Sequence, residues 1–154
     1  MPPQLNRATL CLMGAEAEPE VHGKPPLLAA QLCEELLCEQ YWYQGALAEP
    51  ANVIHLRFAS EWHRLCFDYG AIFWRLESER PAPYTMPELQ AETKLDNLGA
   101  RLDLAGRALH AYESRVILGG SEVEFRFEGG VKVVFRNVDD HTAVIIEEHA
   151  PSKQ

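Results

Sequence analysis

Apolar positions recur along this chain at two different periods. Between Pro25 and Gly45, Leu28, Leu32, Leu36 and Tyr43 fall at helical spacing, with Ala29, Cys33 and Leu37 beside them. Glu34, Glu35 and Glu39 fall on the opposite face. Pro25-Pro26 suits a helix opening, where a missing N–H costs nothing, and Gly45 suits its stop. The spacing predicts an amphipathic helix over 27–43.

From Asn52 the period becomes two. Segments 53–58, 62–68 and 71–76 read as a three-stranded meander, turning at Ala59-Ser60-Glu61 and at Tyr69-Gly70. Pro81, Pro83 and Pro87 then punctuate an extended crossing. Thr85 and Glu88 stand at capping-box spacing, which predicts a second helix from near Pro87. Leu95, Leu98, Leu102 and Ala105 form its stripe and Gly106 its end, with Gly99 inside the stripe at a cost in propensity.

Four strands follow over 108–118, 122–127, 131–138 and 142–147, with hairpin turns at Gly119-Gly120, Gly129-Gly130 and Asp139-Asp140. Pairing across Gly119-Gly120 sets Arg115 opposite Glu124 and Glu113 opposite Arg126. It turns Val123, Phe125 and Phe127 inward with Val131, Val133 and Phe135. The expected fold class is therefore α+β: two helices packed on antiparallel sheet built from a three-stranded and a four-stranded meander. Residues 25–149 form one domain with possible pseudo-halves 25–80 and 81–149. Residues 1–24 form an acidic arm, mobile or laid along the surface, in which 7–13 suits an edge strand. Residues 150–154 are a tail.

At 154 residues the chain has the length of one domain, burying roughly 70% of the unfolded surface. Fourteen Lys and Arg against 23 Asp and Glu give a net charge of −9, which disfavours phosphate neutralisation and so nucleic-acid binding. No run approaches the roughly 18 apolar residues of a membrane span, and the run at Leu10–Met13 is too short for a signal peptide. The expected location is the cytoplasm. Cys11, Cys33, Cys38 and Cys66 follow no zinc or redox spacing and read as free thiols.

No phosphate loop, nucleophile elbow or zinc-protease helix is present, so no catalytic residue, metal or cofactor is assigned. Asp139-Asp140-His141 and Glu147-Glu148-His149 read as a polar hairpin loop and a solvated strand end. The first meander is more informative. Its core face carries Ile54, Leu56, Phe58, Leu65, Phe67, Ile72, Trp74 and Leu76, and its other face His55, Arg57, Trp62, Arg64, Cys66, Phe73 and Arg75. Hairpin arithmetic sets Arg57 near Arg64 and Arg64 near Arg75. Like charges opposed on a sheet destabilise it, so something negative should lie over them.

Local carboxylates (Glu61, Asp68, Glu77, Glu79), the arm's Glu16, Glu18 and Glu20, or an external anion could supply that charge. Cys66 beside arginines is a candidate reactive thiol. The leading expectation is a non-enzymatic binding or accessory module. Its Arg/aromatic face (Arg57, Arg64, Arg75, Trp62, Phe73, His55) would take an acidic protein or small anion. A second is an acidic decoy, of the kind seen in nuclease inhibitors and immunity proteins, working through Glu34, Glu35 and Glu39 with the arm's glutamates. A third is a small-molecule site or enzyme pocket between helix and sheet, lined by His63, Trp74, Tyr112, Tyr41 and His110. Sheet edges leave monomer or homodimer open.

Overall fold

The computed structural model describes residues 17–149. It is built almost entirely of strand: β1 (Val21–His22), β2 (Cys33–Tyr43), β3 (Ala46–Phe58), β4 (Glu61–Asp68), β5 (Ala71–Glu77), β6 (Thr85–Met86) and β7 (Ala91–Asn97), then β8 (Leu109–Ile117), β9 (Gly120–Phe127), β10 (Val131–Val138) and β11 (His141–Glu148). The first seven form one sheet in the order β1-β5-β4-β3-β2-β7-β6, and the last four a second sheet, β11-β10-β9-β8. All neighbours are antiparallel except β1, which runs parallel to β5. Inner faces of the two sheets meet in one core: Leu36, Ile54, Leu56, Phe58, Leu65 and Ile72 pack with Val123, Phe125, Phe127, Val133 and Phe135.

The α+β expectation is overturned. Neither predicted helix forms, and the regular helix among the described residues is a single turn, α1 (Leu98–Arg101). In place of the helix over 27–43, residues 27–32 form a strap that leads into β2. β2 is a central strand between β3 and β7 and is buried on both faces from Leu36 to Glu39. A strand of that kind needs a continuous apolar run, and Leu36-Leu37-Cys38 satisfies that need as well as a helical stripe. Pro25-Pro26 opens an extended segment, as the bias of residues preceding proline allows.

The second predicted helix fails for a related reason. Thr85 lies in β6, a 3-10 turn covers Pro87–Leu89, and Ala91 and Thr93 are buried at strand spacing in β7. The cap that does form is Asn97, whose side chain accepts from the Ala100 N–H at 3.0 Å. Helix α1 is one turn long, and its Gly99 lies against the backbone of Leu36.

Both meanders are present, one within each sheet. The register across β8 and β9 is shifted by two from the expected one. Ile117 pairs with Gly120 around a Leu118-Gly119 turn, which sets Arg115 opposite Glu122 and Glu113 opposite Glu124. A shift of two keeps every side chain on its face, so the inward set is unchanged. Arg115 Nη1 still reaches Glu124 diagonally at 3.3 Å, besides Glu122 at 3.4 Å.

The proline-rich segment 78–84 runs from β5 to β6, spanning the strands between them in the sheet order. Arg80 in this segment bonds Glu35 of β2 at 3.0 Å, tying the crossing to the sheet. The end of the N-terminal arm is laid along the sheet as β1, where the Ile72 N–H donates to the Glu20 carbonyl at 2.9 Å. The proposed edge strand 7–13, Cys11, Glu16 and the tail lie outside the described residues. No helix among the described residues is long and apolar enough to cross a membrane.

Candidate functional site

The outer face of the seven-stranded sheet carries the Arg/aromatic residues, but their neighbours differ from those expected. Arg64 and Arg75 are directly opposed across β4 and β5. Arg57 is opposed by Trp62 and Glu35, and Arg64 on its other side by His55. The three arginines therefore do not form one row.

Arg57 is neutralised within the protein. A bulge in β2 between Cys33 and Glu35 inserts Glu34 as an extra residue, re-aiming consecutive carboxylates toward one cation. Glu34 Oε2 lies 3.0 Å from Arg57 Nε, and Glu35 Oε2 3.6 Å from Nη1. The first contact is an ion pair without hydrogen-bond alignment, since the Arg57 Nε–H has no acceptor in line. Glu35 also holds Arg80.

Next along the face, His55 is only 2% exposed. Its Nδ1 lies 2.8 Å from Glu77 Oε2 and its Nε2 3.4 Å from Glu39 Oε1. Trp62, also buried, pairs in register with both Arg57 and Glu77. His55 and Trp62 thus belong to the packed part of this face and not to an open surface. Glu34, Glu35 and Glu39, the centre of the decoy surface, are all engaged with partners on the same sheet.

Arg64 and Arg75 are different. Arg64 has Glu77 at 3.9 Å, and that carboxylate is already bonded to His55. Arg75 makes no ion pair or hydrogen bond among the described residues. Glu61, Asp68 and Glu79 form no ion pair with either arginine, and the arm's Glu20 pairs with His22 at 3.3 Å. His22 stacks on Phe73 with ring centroids 4.5 Å apart and planes within 9° of parallel. His22, Gly23, Arg64, Cys66, Phe73 and Arg75 together line a cleft of about 330 Å³. Gly23 is required there: at φ +82 it brings the chain so close to β5 that a Cβ would lie 2.0 Å from the Trp74 carbonyl oxygen.

Cys66 lines the same cleft. Burial pushes its thiol above the ordinary value, and Arg64 and Arg75 offset only part of that rise. Burial thus works against the thiolate form that the neighbouring arginines favour. Cys33 and Cys38 are also unpaired and are raised by burial to about 12. No group of three or more His, Cys, Asp or Glu among the described residues is arranged to hold a metal ion.

The expected lining of an internal pocket is only partly brought together. His63 and Trp74 line a cleft of about 400 Å³ beside the strap. Tyr112 packs on Trp74 at 5.5 Å between centroids and donates its hydroxyl hydrogen to the Pro26 carbonyl. Burial raises that phenol to about 12. Tyr41 sits elsewhere, opposite Glu49 and Thr93, and His110 is exposed on β8.

The sequence pattern did not single out His22 or Lys24; it offered Glu77 as a local carboxylate for the arginines, and Glu39 as part of an acidic helix face and not as a partner of His55. His22 and Lys24 lie in a segment with no periodic signal, and Glu39 looked like the solvent side of a helix. No protein-family model matches the chain, and no curated protein or solved structure matches it.

Proposed function

We propose that this protein is a binding module that takes an acidic group in the cleft between Arg64 and Arg75. One observation carries the reading: two arginines are opposed on neighbouring strands, and among the described residues Arg75 has no acidic partner. Opposed like charges cost stability on a sheet, so an external carboxylate or phosphate bridging them is favoured by more than its own contact. Guanidinium forks suit such anions, and the His22–Phe73 stack offers a flat wall beside them. An overall charge of −9 keeps non-specific polyanions away while leaving this local cationic spot.

Binding of inorganic phosphate and of an oligoglutamate peptide, followed by thermal shift and calorimetry, tests the reading. A ligand at about a hundred times its Kd should stabilise the fold by roughly 2.7 kcal/mol. Arg64→Glu converts the opposed pair into an attractive one, so binding should be lost while Tm holds or rises slightly. Stabilisation that survives Arg64→Glu, or none with either anion, removes this cleft as the site. Phosphate alone would mark a small-anion site and the peptide alone an acidic protein partner.

A further inference from the structure

On the other side of β5, the strap 24–31 overhangs β4 and β5 and encloses the larger cleft, about 400 Å³. The strap is fixed to the second sheet. Ala30 N–H donates to the Leu109 carbonyl at 2.8 Å, Leu109 N–H returns to Gln31 at 2.9 Å, and Pro26 accepts from Tyr112. The cleft is therefore held open between two anchored walls and is not a gap under a loose loop.

Its inner wall is built from two rings. His63 is 8% exposed and lines the cleft, yet its ring makes no hydrogen bond among the described residues. Trp74, 5% exposed, lines the same wall, and its indole N–H is buried without an acceptor. The Trp74 N–H is sealed from solvent, so Trp74 offers the cleft its ring and not its donor, and His63 adds a second ring beside it. Burial holds the His63 imidazole below its ordinary range, against the pull of Glu61. It is therefore a neutral group with one donor and one acceptor nitrogen.

The mouth has a different chemistry. Leu27 and Leu76 flank it, 86% and 64% exposed, although both are apolar. Lys24 and Arg75 stand at the same opening, and neither has an acidic partner among the described residues. Glu61 is at the rim as well and would repel a doubly charged group. Apolar walls, two rings on the inner side, and two cations tempered by one carboxylate describe the ligand.

The geometry points to a site for a small aromatic monocarboxylate, its ring between the strap and Trp74 and its carboxylate at Lys24 and Arg75. The volume lies in the usual range for a small-molecule site. This site is separate from the Arg64 cleft, with Arg75 of β5 bordering both.

Naphthoate and its uncharged amide, naphthamide, are suitable probes on the full chain, read by calorimetry and tryptophan fluorescence. Naphthoate should bind with one-to-one stoichiometry and a Kd below about 1 mM, at least about tenfold tighter than naphthamide. Lys24→Glu, on the exposed strap and away from the core, should weaken naphthoate about tenfold and leave naphthamide unchanged. Trp74→Phe should remove the ligand-induced fluorescence change. No saturable binding, equal affinity for acid and amide, or indifference to Lys24→Glu overturns the site. Loss on Arg64→Glu without loss on Lys24→Glu would put the probe in the other cleft and overturn it equally.

Discussion

His55 Nδ1 lies 2.8 Å from Glu77 Oε2, on a ring whose other nitrogen faces Glu39. Three titratable side chains are thus packed together on the outer face of a β-sheet, with the imidazole nearly sealed from water. The two ring nitrogens thus face two different carboxyl groups, so one imidazole serves both. Glu39 is itself buried at 9% exposure and has no other cation within ion-pair distance among the described residues. Replacing His55 with Leu should therefore leave a buried carboxylate without a partner and cost about 3–5 kcal/mol in urea unfolding. Removing both groups, His55→Leu with Glu39→Leu, should cost clearly less than the sum of the two single changes. Additive costs would mean that the contact at 3.4 Å carries no coupling.

This cluster shows where the sequence was legible and where it was not. Alternation placed His55, Arg57, Trp62, Arg64, Cys66, Phe73 and Arg75 on one face, and they are on one face, because two-residue periodicity survives any even shift of register. Turn chemistry located Tyr69-Gly70 and Asp139-Asp140 for a similarly local reason. Glu39 was unreadable because its strand is covered on both sides, so its neighbours are set by β3 and β7, far away in sequence. The β2 bulge that turns Glu34 and Glu35 on Arg57 leaves no trace in composition. The α+β reading failed at the same strand. A central strand with a short apolar run and flanking glutamates has the same pattern as one face of a helix.

His141 gives a pH-dependent test of how β11 is attached beside β3. Its ring hydrogen-bonds Glu49, and that bond with the Glu49 charge raises the imidazole above its ordinary value. Glu49 also accepts from the Thr142 N–H at 3.2 Å. A group whose folded value is raised contributes stability that is present in full below its unfolded value, about 6.5. That contribution is lost as pH rises through the higher folded value. Tm should therefore fall from about pH 6 upward, and Glu49→Gln should flatten the profile in that window. Added salt should shrink the effect, since His141 is exposed. An unchanged slope in Glu49→Gln would dismiss the contact.

Glu124 behaves in the opposite sense. Burial alone would raise its carboxyl, but Arg115 and Lys132 outweigh burial and hold it below the ordinary carboxylate range. Such a group contributes stability above its unfolded value, about 4.3, that is lost as pH falls through the folded one. Arg115→Met should lower Tm most at neutral pH. The gap from the unaltered protein should close as pH drops below about 4, where Glu124 is progressively protonated in the unfolded chain and then in the folded one. A gap that stays constant down to acid pH would assign the cost to lost packing of the arginine stem.

Gly99 separates two readings of one residue. Seen as part of a helical stripe, it is a weak point that alanine would strengthen by about 1 kcal/mol. In the fold it sits in the single turn of α1, where an added Cβ would lie 2.9 Å from the Leu36 amide nitrogen. Leu36 is fully buried in a central strand, and a backbone atom has no rotamer to move aside. Relieving the overlap must shift α1 against β2, and overpacking of that kind costs about 1–3 kcal/mol. With one helical turn to gain from propensity, the steric term wins, and Gly99→Ala should lower the stability measured by chemical denaturation. A stabilised Gly99→Ala variant would mean that α1 does not press on β2 as closely as this contact requires.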